Sequence, residues 1–564
     1  MIVESNKKID IVIKDTLIFD GTGSKPFRSN IGISGDKIVA INKETNFAQR
    51  AKGTIDANGL AVAPGFIDTH GHSEFTLLAD PRAEGKLLQG ITTEINGNCG
   101  LSAAPLNGEA LKQREKDLRE LGISERWANF KEYFKILGTC IAINFATLVG
   151  HGNVRACVMG YENRTPNGVA MDKMKNLLKR AMNDGAIGLS TGLAYPPSVY
   201  SETEELIDFC RVLVKSEKPM GYSSHKKNIL PLGKENDQHR KKAKGPIFTA
   251  HIRDEGDALI ESIEEMIRIG RETGIRVHIS HIKTSGKHNW SKIDTVLSLI
   301  EEAQKEGICI TCDRYPYIAA STDLDTLLPS WVYGGGIHEE LRRLKNMKNR
   351  EKIKKEILLE HPEKEFWEHV RIATVSSQKN RWIEGKSIAY LARRKNAHPV
   401  ELFFNILVEE ELRVSAIFST MNEDNLKRFL SLPYVMIGTD SAARSMDGLT
   451  SKGKPHPRGF GTFPRFLGRY VRDYGLMDLS KAIYKITMLP AQTFMIAKRG
   501  IIKRGAFADL VVFDHKNIID RATFEDPFLK PEGIYYVLVN GVLALWEGQI
   551  TGNCAGRILR HGKC

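Results

Sequence analysis

Two histidines two positions apart, His70 and His72, close the run Pro64-Gly65-Phe66-Ile67-Asp68-Thr69-His70-Gly71-His72. A lone thiol, Cys99, follows in Thr92-Thr93-Glu94-Ile95-Asn96-Gly97-Asn98-Cys99-Gly100 after one short helical unit. Alternate side chains of an extended strand share a face, so the His-x-His spacing predicts both imidazoles on one side. A thiolate near two imidazoles suits a divalent metal such as zinc, and a thiolate can bridge two such ions. Three more ligand-type residues end apolar runs further on: His251 after Ile247-Phe248-Thr249-Ala250, His281 after Val277-His278-Ile279-Ser280, and Asp440 after Val435-Met436-Ile437-Gly438-Thr439. Together the set could hold one or two metals.

Each member alone has a plainer reading. His251 or His281 could be a hydrogen-bonded core histidine, Cys99 a small buried apolar group, and Asp440 a turn residue at a strand end. It is their joint occurrence at strand ends that points to a metal centre. His278 lies three positions before His281 and is expected to face away from it. Cys309 and Cys312 fall on opposite faces of a strand, so they are not read as a redox or zinc pair. His151 is expected to contact the site from behind its ligands.

The elements that must position these residues are buried-type strands alternating with helical stretches, which signals a parallel sheet. Candidate strands run 62–69, 92–97, 143–149, 186–191, 247–251, 277–281, 308–313 and 435–440, and eight is the number a closed (β/α)8 barrel needs. Val414–Thr420 is a ninth apolar run that could displace one of them. Short alternating strands occupy both chain ends, with an Asn540-Gly541 turn signal between two of them. The expected α/β architecture is therefore a TIM-like barrel over residues 63–490, with a helical insertion at about 334–399. Residues 1–62 and 491–564 would together build a small β-sandwich domain.

Composition sets outer bounds. A chain of 564 residues with 41% hydrophobic and 26% charged residues has the balance of a soluble globular protein. No apolar run is long enough for a membrane span or a secretory leader, so the cytoplasm is the expected location. The 8 cysteines are too scattered for a disulfide framework. The net charge of +13 comes largely from 226–244 and 342–364, without the interleaved aromatics of a strand-binding surface. Nucleic acid is thus not an expected partner. The oligomeric state stays open.

Several of these segments resemble the D-aminoacylase (N-acyl-D-amino-acid deacylase) family of the amidohydrolase superfamily. The resemblance runs through Pro64–His72, Gly97–Gly100, Gly188–Tyr195, His251–Glu255, Val277–Lys283, Tyr315-Pro316-Tyr317 with Ser321, Gly438–Asp440, His456–Arg458 and Asp520–Phe524. It implies one tightly held zinc on Cys99, His251 and His281. It implies a second, weaker position on His70, His72, Cys99 and Asp440. It also implies that Lys283, Tyr315, Ser321 and Arg458 bind substrate, and that the substrate is an N-acyl-D-amino acid. A basic insertion at 223–246 and a long stretch from Asp440 to Arg458 depart from the family pattern.

Amide hydrolysis requires a nucleophile at neutral pH, relief of oxyanion charge, and a proton for the leaving amine. Asp440 is the single carboxylate of the set and is assigned as the general base. Lys283, Arg458 and the Tyr315 hydroxyl would form an anion site for the α-carboxylate. Leu324, Leu327, Leu328, Trp331 and Tyr333, without a lysine or arginine among them, suggest neutral substrate side chains. Two alternatives stay in view. One is a cyclic-amide hydrolase of the dihydroorotase or hydantoinase type, though Gly188-Leu189-Ser190-Thr191-Gly192 lacks the bridging lysine such enzymes usually carry. The other is a scaffold that keeps the fold without catalysis.

Overall fold

The computed structural model describes residues 9–43, 51–215, 244–363 and 365–561. Apart from its last residues, the basic insertion expected at 223–246 lies outside the described residues. Nine short strands carry the site: β1 (Phe66–Asp68), β2 (Ile91–Asn96), β3 (Asn144–Thr147), β4 (Val149–Gly150), β5 (Gly188–Gly192), β6 (Lys244–His251), β7 (Ile275–Ile279), β8 (Ile310–Arg314) and β9 (Val435–Ile437). Every pairing is parallel, in two sheets ordered β1-β2-β3 and β4-β5-β6-β7-β8-β9. Only Leu148 separates β3 from β4. At the outer edges, Asp440 N donates to His70 O at 2.8 Å, and Gly71 bridges Ser441 in parallel.

These strands are buried on both faces, as expected when helices cover a parallel sheet. Ile67, Ile95, Leu148, Ile247 and Met436 share one apolar cluster. Ile67, Ile95, Ile247 and Met436 precede His70, Cys99, His251 and Asp440 on their strands, so the cluster packs the end away from the ligand-type residues.

The expected strand 62–69 is two strands in two sheets. Ala61–Pro64 pairs antiparallel with Leu510–Phe513, and the chain then crosses at Gly65 into β1. A Cβ at Gly65 would sit 2.1 Å from Thr92 Oγ1, so the crossing has room only for glycine. The terminal strands do combine: five from residues 9–64 and four from 510–550 form one nine-stranded sheet. Its Asn540-Gly541 turn has φ of 50° and 79°, the left-handed pair that a tight hairpin requires.

The insertion is not purely helical. Helices Ile337–Lys345, Met347–Glu360, Ile388–Lys395 and Pro399–Glu409 are accompanied by an antiparallel sheet ordered Ala320–Asp323, Val414–Phe418, Val370–Val375. The ninth apolar run is the central strand of that sheet and displaces nothing from the parallel set. Its partners lie about forty or more residues away in the chain, which local patterning cannot reveal. Leu324, Val332, Trp367 and Phe403 build a separate core here.

Among the described residues, one disulfide, Cys140–Cys554, ties the segment before β3 to the C-terminal tail, with a Cα separation of 5.1 Å. The tail also bonds along β3, from Phe145 N to Arg557 O at 2.9 Å and from Leu559 N to Phe145 O at 2.8 Å. Among the described residues, no helix is long and apolar enough to cross a membrane.

Candidate metal centre

The six ligand-type residues converge. Cys99 Sγ lies 3.2 Å from His70 Nε2, 3.6 Å from His281 Nε2 and 3.8 Å from His251 Nδ1. Asp440 Oδ1 lies 3.2 Å from His72 Nε2 and 3.5 Å from His70 Nε2. In His70–Cys99–His281 and in His70–His72–Asp440, all donor atoms lie within 4.8 Å of one another. One thiol, imidazole nitrogens and a carboxylate form a donor set that fits zinc, and fits poorly with magnesium or calcium, which want oxygen. His70 belongs to both groups of donors.

The convergence is made by loops beyond the strand ends. β1 ends at Asp68 and β7 at Ile279, so His70, His72 and His281 all lie past their strands. Cys99, His281 and Asp440 have φ of 53°, 36° and 49°, a left-handed conformation that is unfavourable for residues other than glycine. Three such residues in one cluster mark a place where neighbouring contacts hold the backbone against its preference. The turn bearing Cys99 also needs its flanking glycines. A Cβ would meet Leu148 O at 2.2 Å from Gly97 and Gly192 N at 2.7 Å from Gly100.

Two carboxylates stand behind the histidines, Asp313 buried and Glu255 half-buried. Asp313 Oδ2 meets His70 Nδ1 at 3.2 Å and His278 Nε2 at 2.8 Å, and its Oδ1 accepts from His281 N at 2.6 Å. Glu255 Oε1 lies 2.8 Å from His281 Nδ1 and also pairs with Lys283 Nζ. Carboxylates placed this way fix which imidazole nitrogen is free to face a cation.

Charge follows this geometry. Burial alone would raise the Cys99 thiol, but His70, His251 and His281 prevail and hold it well below its ordinary value. Burial likewise works against an ionised Asp440, yet Arg458, His70, His281 and His72 hold it well below the usual carboxylate range. Burial disfavours charge on His72, but Asp440 and Cys99 raise it to about 9. The Cys99 thiol and the Asp440 carboxyl group are thus held in the anionic forms that bind a divalent cation, whereas His72 must give up its proton to join them.

The four expected substrate residues lie beside this cluster. Arg458 Nη1 is 2.9 Å from Asp440 Oδ2, and its guanidinium lies 4.6 Å from the Tyr315 ring centre. Lys283 Nζ is 2.8 Å from His281 Nδ1 and 6.0 Å from the same ring. The Tyr315 hydroxyl is buried without a hydrogen-bond partner among the described residues. Ser321 reaches Arg458 through its backbone carbonyl, at 3.2 Å from Nη2. The long excursion between Asp440 and Arg458 therefore returns to the site.

Comparison with known proteins identifies the family. The amidohydrolase family model matches residues 53–282 and 357–544. A D-aminoacylase of Alcaligenes xylosoxydans xylosoxydans is 34% identical, over 98% of this chain and 98% of its own. The chain belongs to the amidohydrolase family, in its D-aminoacylase branch. An N-acyl-D-glutamate deacylase of the same organism is also 34% identical to this amidohydrolase, over 98% of the chain and 97% of the relative. The crystal structure of the N-acyl-D-glutamate deacylase of Bordetella bronchiseptica, complexed with zinc and a phosphonate mimic of the tetrahedral intermediate, superposes with a TM-score of 0.78. It is 32% identical and covers 98% of this chain and 100% of its own.

Some residues of the amidohydrolase escape or contradict the sequence reading. Asp313 and Glu255 were not singled out, because a carboxylate behind a ligand has no spacing signature of its own. Tyr195 was also missed, although its ring centre lies 4.7 Å from that of His251 and its hydroxyl 3.0 Å from Thr322 Oγ1. His278 is no donor of the cluster, but it does not simply face away, since it shares Asp313 with His281. His151 pairs with Glu205 at 3.0 Å and Ser198 Oγ at 2.9 Å rather than with a ligand-type residue. Leu324, Leu328 and Tyr333 pack in the insertion core, with Leu327 and Trp331 against it. The preference for neutral substrate side chains read from them thus loses its basis.

Proposed function

We propose that this chain hydrolyses the amide bond of N-acyl-D-amino acids to a carboxylate and a free D-amino acid, with zinc as its metal. The observation that carries the reading is the meeting of Cys99, His251, His281 and His70 beside Asp440 and a cation-flanked tyrosine. Cys99, His251 and His281 would hold one zinc tightly, and His70, His72, Cys99 and Asp440 a second more weakly. Zinc, when bound, supplies a nucleophile at neutral pH and polarises the acyl carbonyl.

The protein's own groups supply the rest. Asp440 takes the proton of the attacking water and returns it to the departing nitrogen. Arg458 keeps that carboxylate ionised until it is needed. Lys283, Arg458 and the unpartnered Tyr315 hydroxyl hold the substrate α-carboxylate, with Ser321 at the same side of the site. Preference for the D isomer and for linear amides rests on the named relatives. The absence of a lysine on β5 speaks against the cyclic-amide alternative, and the complete donor set speaks against a non-catalytic scaffold.

We also read the two parallel sheets as one (β/α)8 barrel over residues 63–490, with β3 and β4 as one interrupted strand. The contacts between the ends of β1 and β9 support closure. Residues 1–62 and 491–564 are read as one small β-sandwich domain. An amine-release assay on paired D and L N-acyl amino acids, run with metal analysis, tests the function. Turnover of the D series by zinc-bearing protein is expected. Equal rates on both series would refute the stereochemical part, and no turnover of either would refute the whole.

A further inference from the structure

Lys86 is fully buried in the short helix Glu84–Leu87, and its ammonium makes four polar contacts. Nζ lies 2.8 Å from Asp68 Oδ2, 2.7 Å from Glu94 Oε1, 2.7 Å from Thr439 Oγ1 and 2.8 Å from Ser441 O. These acceptors come from the end of β1, from β2, and from the two residues that flank Asp440. An ammonium has three protons to donate, so none is left idle. Lys86 touches no ligand-type residue itself.

Its partners complete a frame around Asp440. Asp68 accepts from Thr439 N at 2.8 Å, from Thr439 Oγ1 at 2.7 Å and from His70 N at 3.2 Å. Thus the anion that Lys86 neutralises also grips the residue before Asp440 and the first histidine of the pair. Asp440 lies between two anchored neighbours with a left-handed φ of 49°. A dry ion cluster is a costly way to fill space, since apolar side chains of similar volume commonly serve stability as well or better. What an ammonium adds is direction, because it pins three segments to one point.

We propose that Lys86 is a positioning residue that holds Asp440 in register with His70 and His72. It thereby sets the geometry of the base and of the weaker metal position, while its own polar contacts go to Asp68, Glu94, Thr439 and Ser441 and not to Cys99, His251 or His281. The inference rests on the deacylase reading above.

The test compares Lys86→Met and the double variant Lys86→Met with Glu94→Gln against the full-length wild type. The double variant is included because removing the ammonium alone leaves two carboxylates buried and unpaired. Metal-free protein is titrated with zinc, and kcat and KM are measured on the zinc-loaded enzyme. The expected result is loss of affinity for the second zinc equivalent by about 10- to 100-fold, with the first equivalent unchanged. A fall in kcat of the same order, with KM unchanged, should accompany it. Variants that keep kcat and the second equivalent overturn the proposal, as do variants that lose both equivalents alike or a pair that both fail to fold. Wild-type protein that takes up no zinc and releases no amine would instead defeat the deacylase reading itself.

Discussion

Arg458 and Asp440, eighteen positions apart in the chain, meet at 2.9 Å between Nη1 and Oδ2 inside the donor cluster. The same guanidinium donates to Ser321 O at 3.2 Å and covers one side of the Tyr315 ring. One side chain therefore links the proposed general base to the proposed carboxylate anchor. Substrate binding and the charge of the base are not independent here.

Arg458→Ala is accordingly expected to lower kcat/KM on N-acyl-D-amino acids by about 10- to 100-fold, the usual worth of a hydrogen bond to a charged group. Most of the loss should fall on KM. Steady-state kinetics on matched α-carboxylate and α-carboxamide substrates checks this, since only the first needs the anchor. An equal loss on both would remove Arg458 from carboxylate binding.

Asp440→Asn should reduce kcat by about 10²- to 10⁴-fold, the range of general acid–base contributions. The tight zinc equivalent should survive, because Cys99, His251 and His281 are untouched. Metal content measured beside the rate separates the two effects. A variant with near wild-type kcat would deprive Asp440 of its role.

Lys485 gives a pH dependence away from the site. It is buried, donates to Leu430 O at 2.6 Å and Leu432 O at 2.5 Å, and burial pulls its ammonium down to about 7. In the unfolded chain the same group titrates near 10.5. Between those values the unfolded chain binds a proton that the folded one lacks, so this group's contribution to stability rises with pH. Below about 7 both states are protonated and the cost of the buried charge is fully present. Chemical denaturation across pH 6–9 should show this rise flattened in Lys485→Met. Identical slopes in the two proteins would contradict the assignment.

Cys140→Ser combined with Cys554→Ser is expected to lower stability by about 2–4 kcal/mol, through freedom gained by the unfolded chain. The kinetic constants should not change, because the hydrogen bonds along β3 still dock the tail. Thermal melts with and without reductant, read beside kcat, provide the check. Protein kept in the cytoplasm would carry the pair as thiols.

The donors were legible because metal chemistry admits few residue types, and His70, His72, Cys99, His251, His281 and Asp440 all follow apolar runs. The reason given for their convergence was incomplete. Strand parity places His70 and His72 on one face, yet both lie past the end of β1, and Cys99, His281 and Asp440 stand on left-handed turns. A period of two has no authority beyond the last ladder bond. Val414–Phe418 could not be assigned to a sheet for a related reason: a buried apolar run looks the same in any sheet, and its strand partners are distant in the chain.

Lys86 and Asp313 were silent in the sequence, and Asp68 and Glu255 stood inside recognisable segments with no role of their own assigned. A buried ion acquires its meaning from the groups opposite it, and Thr439 and Ser441 lie more than 350 positions from Lys86. Residue chemistry by itself determined which atoms could bind a metal, where the parallel strands lie, and that both chain ends carry β structure. Only the tertiary structure decided which candidate donors lie within reach of one another, which sheet each strand joins, and which buried charges hold the loops in place. Those outcomes depend on distances between chain-remote atoms in a low-dielectric interior, and local sequence does not encode such distances one by one.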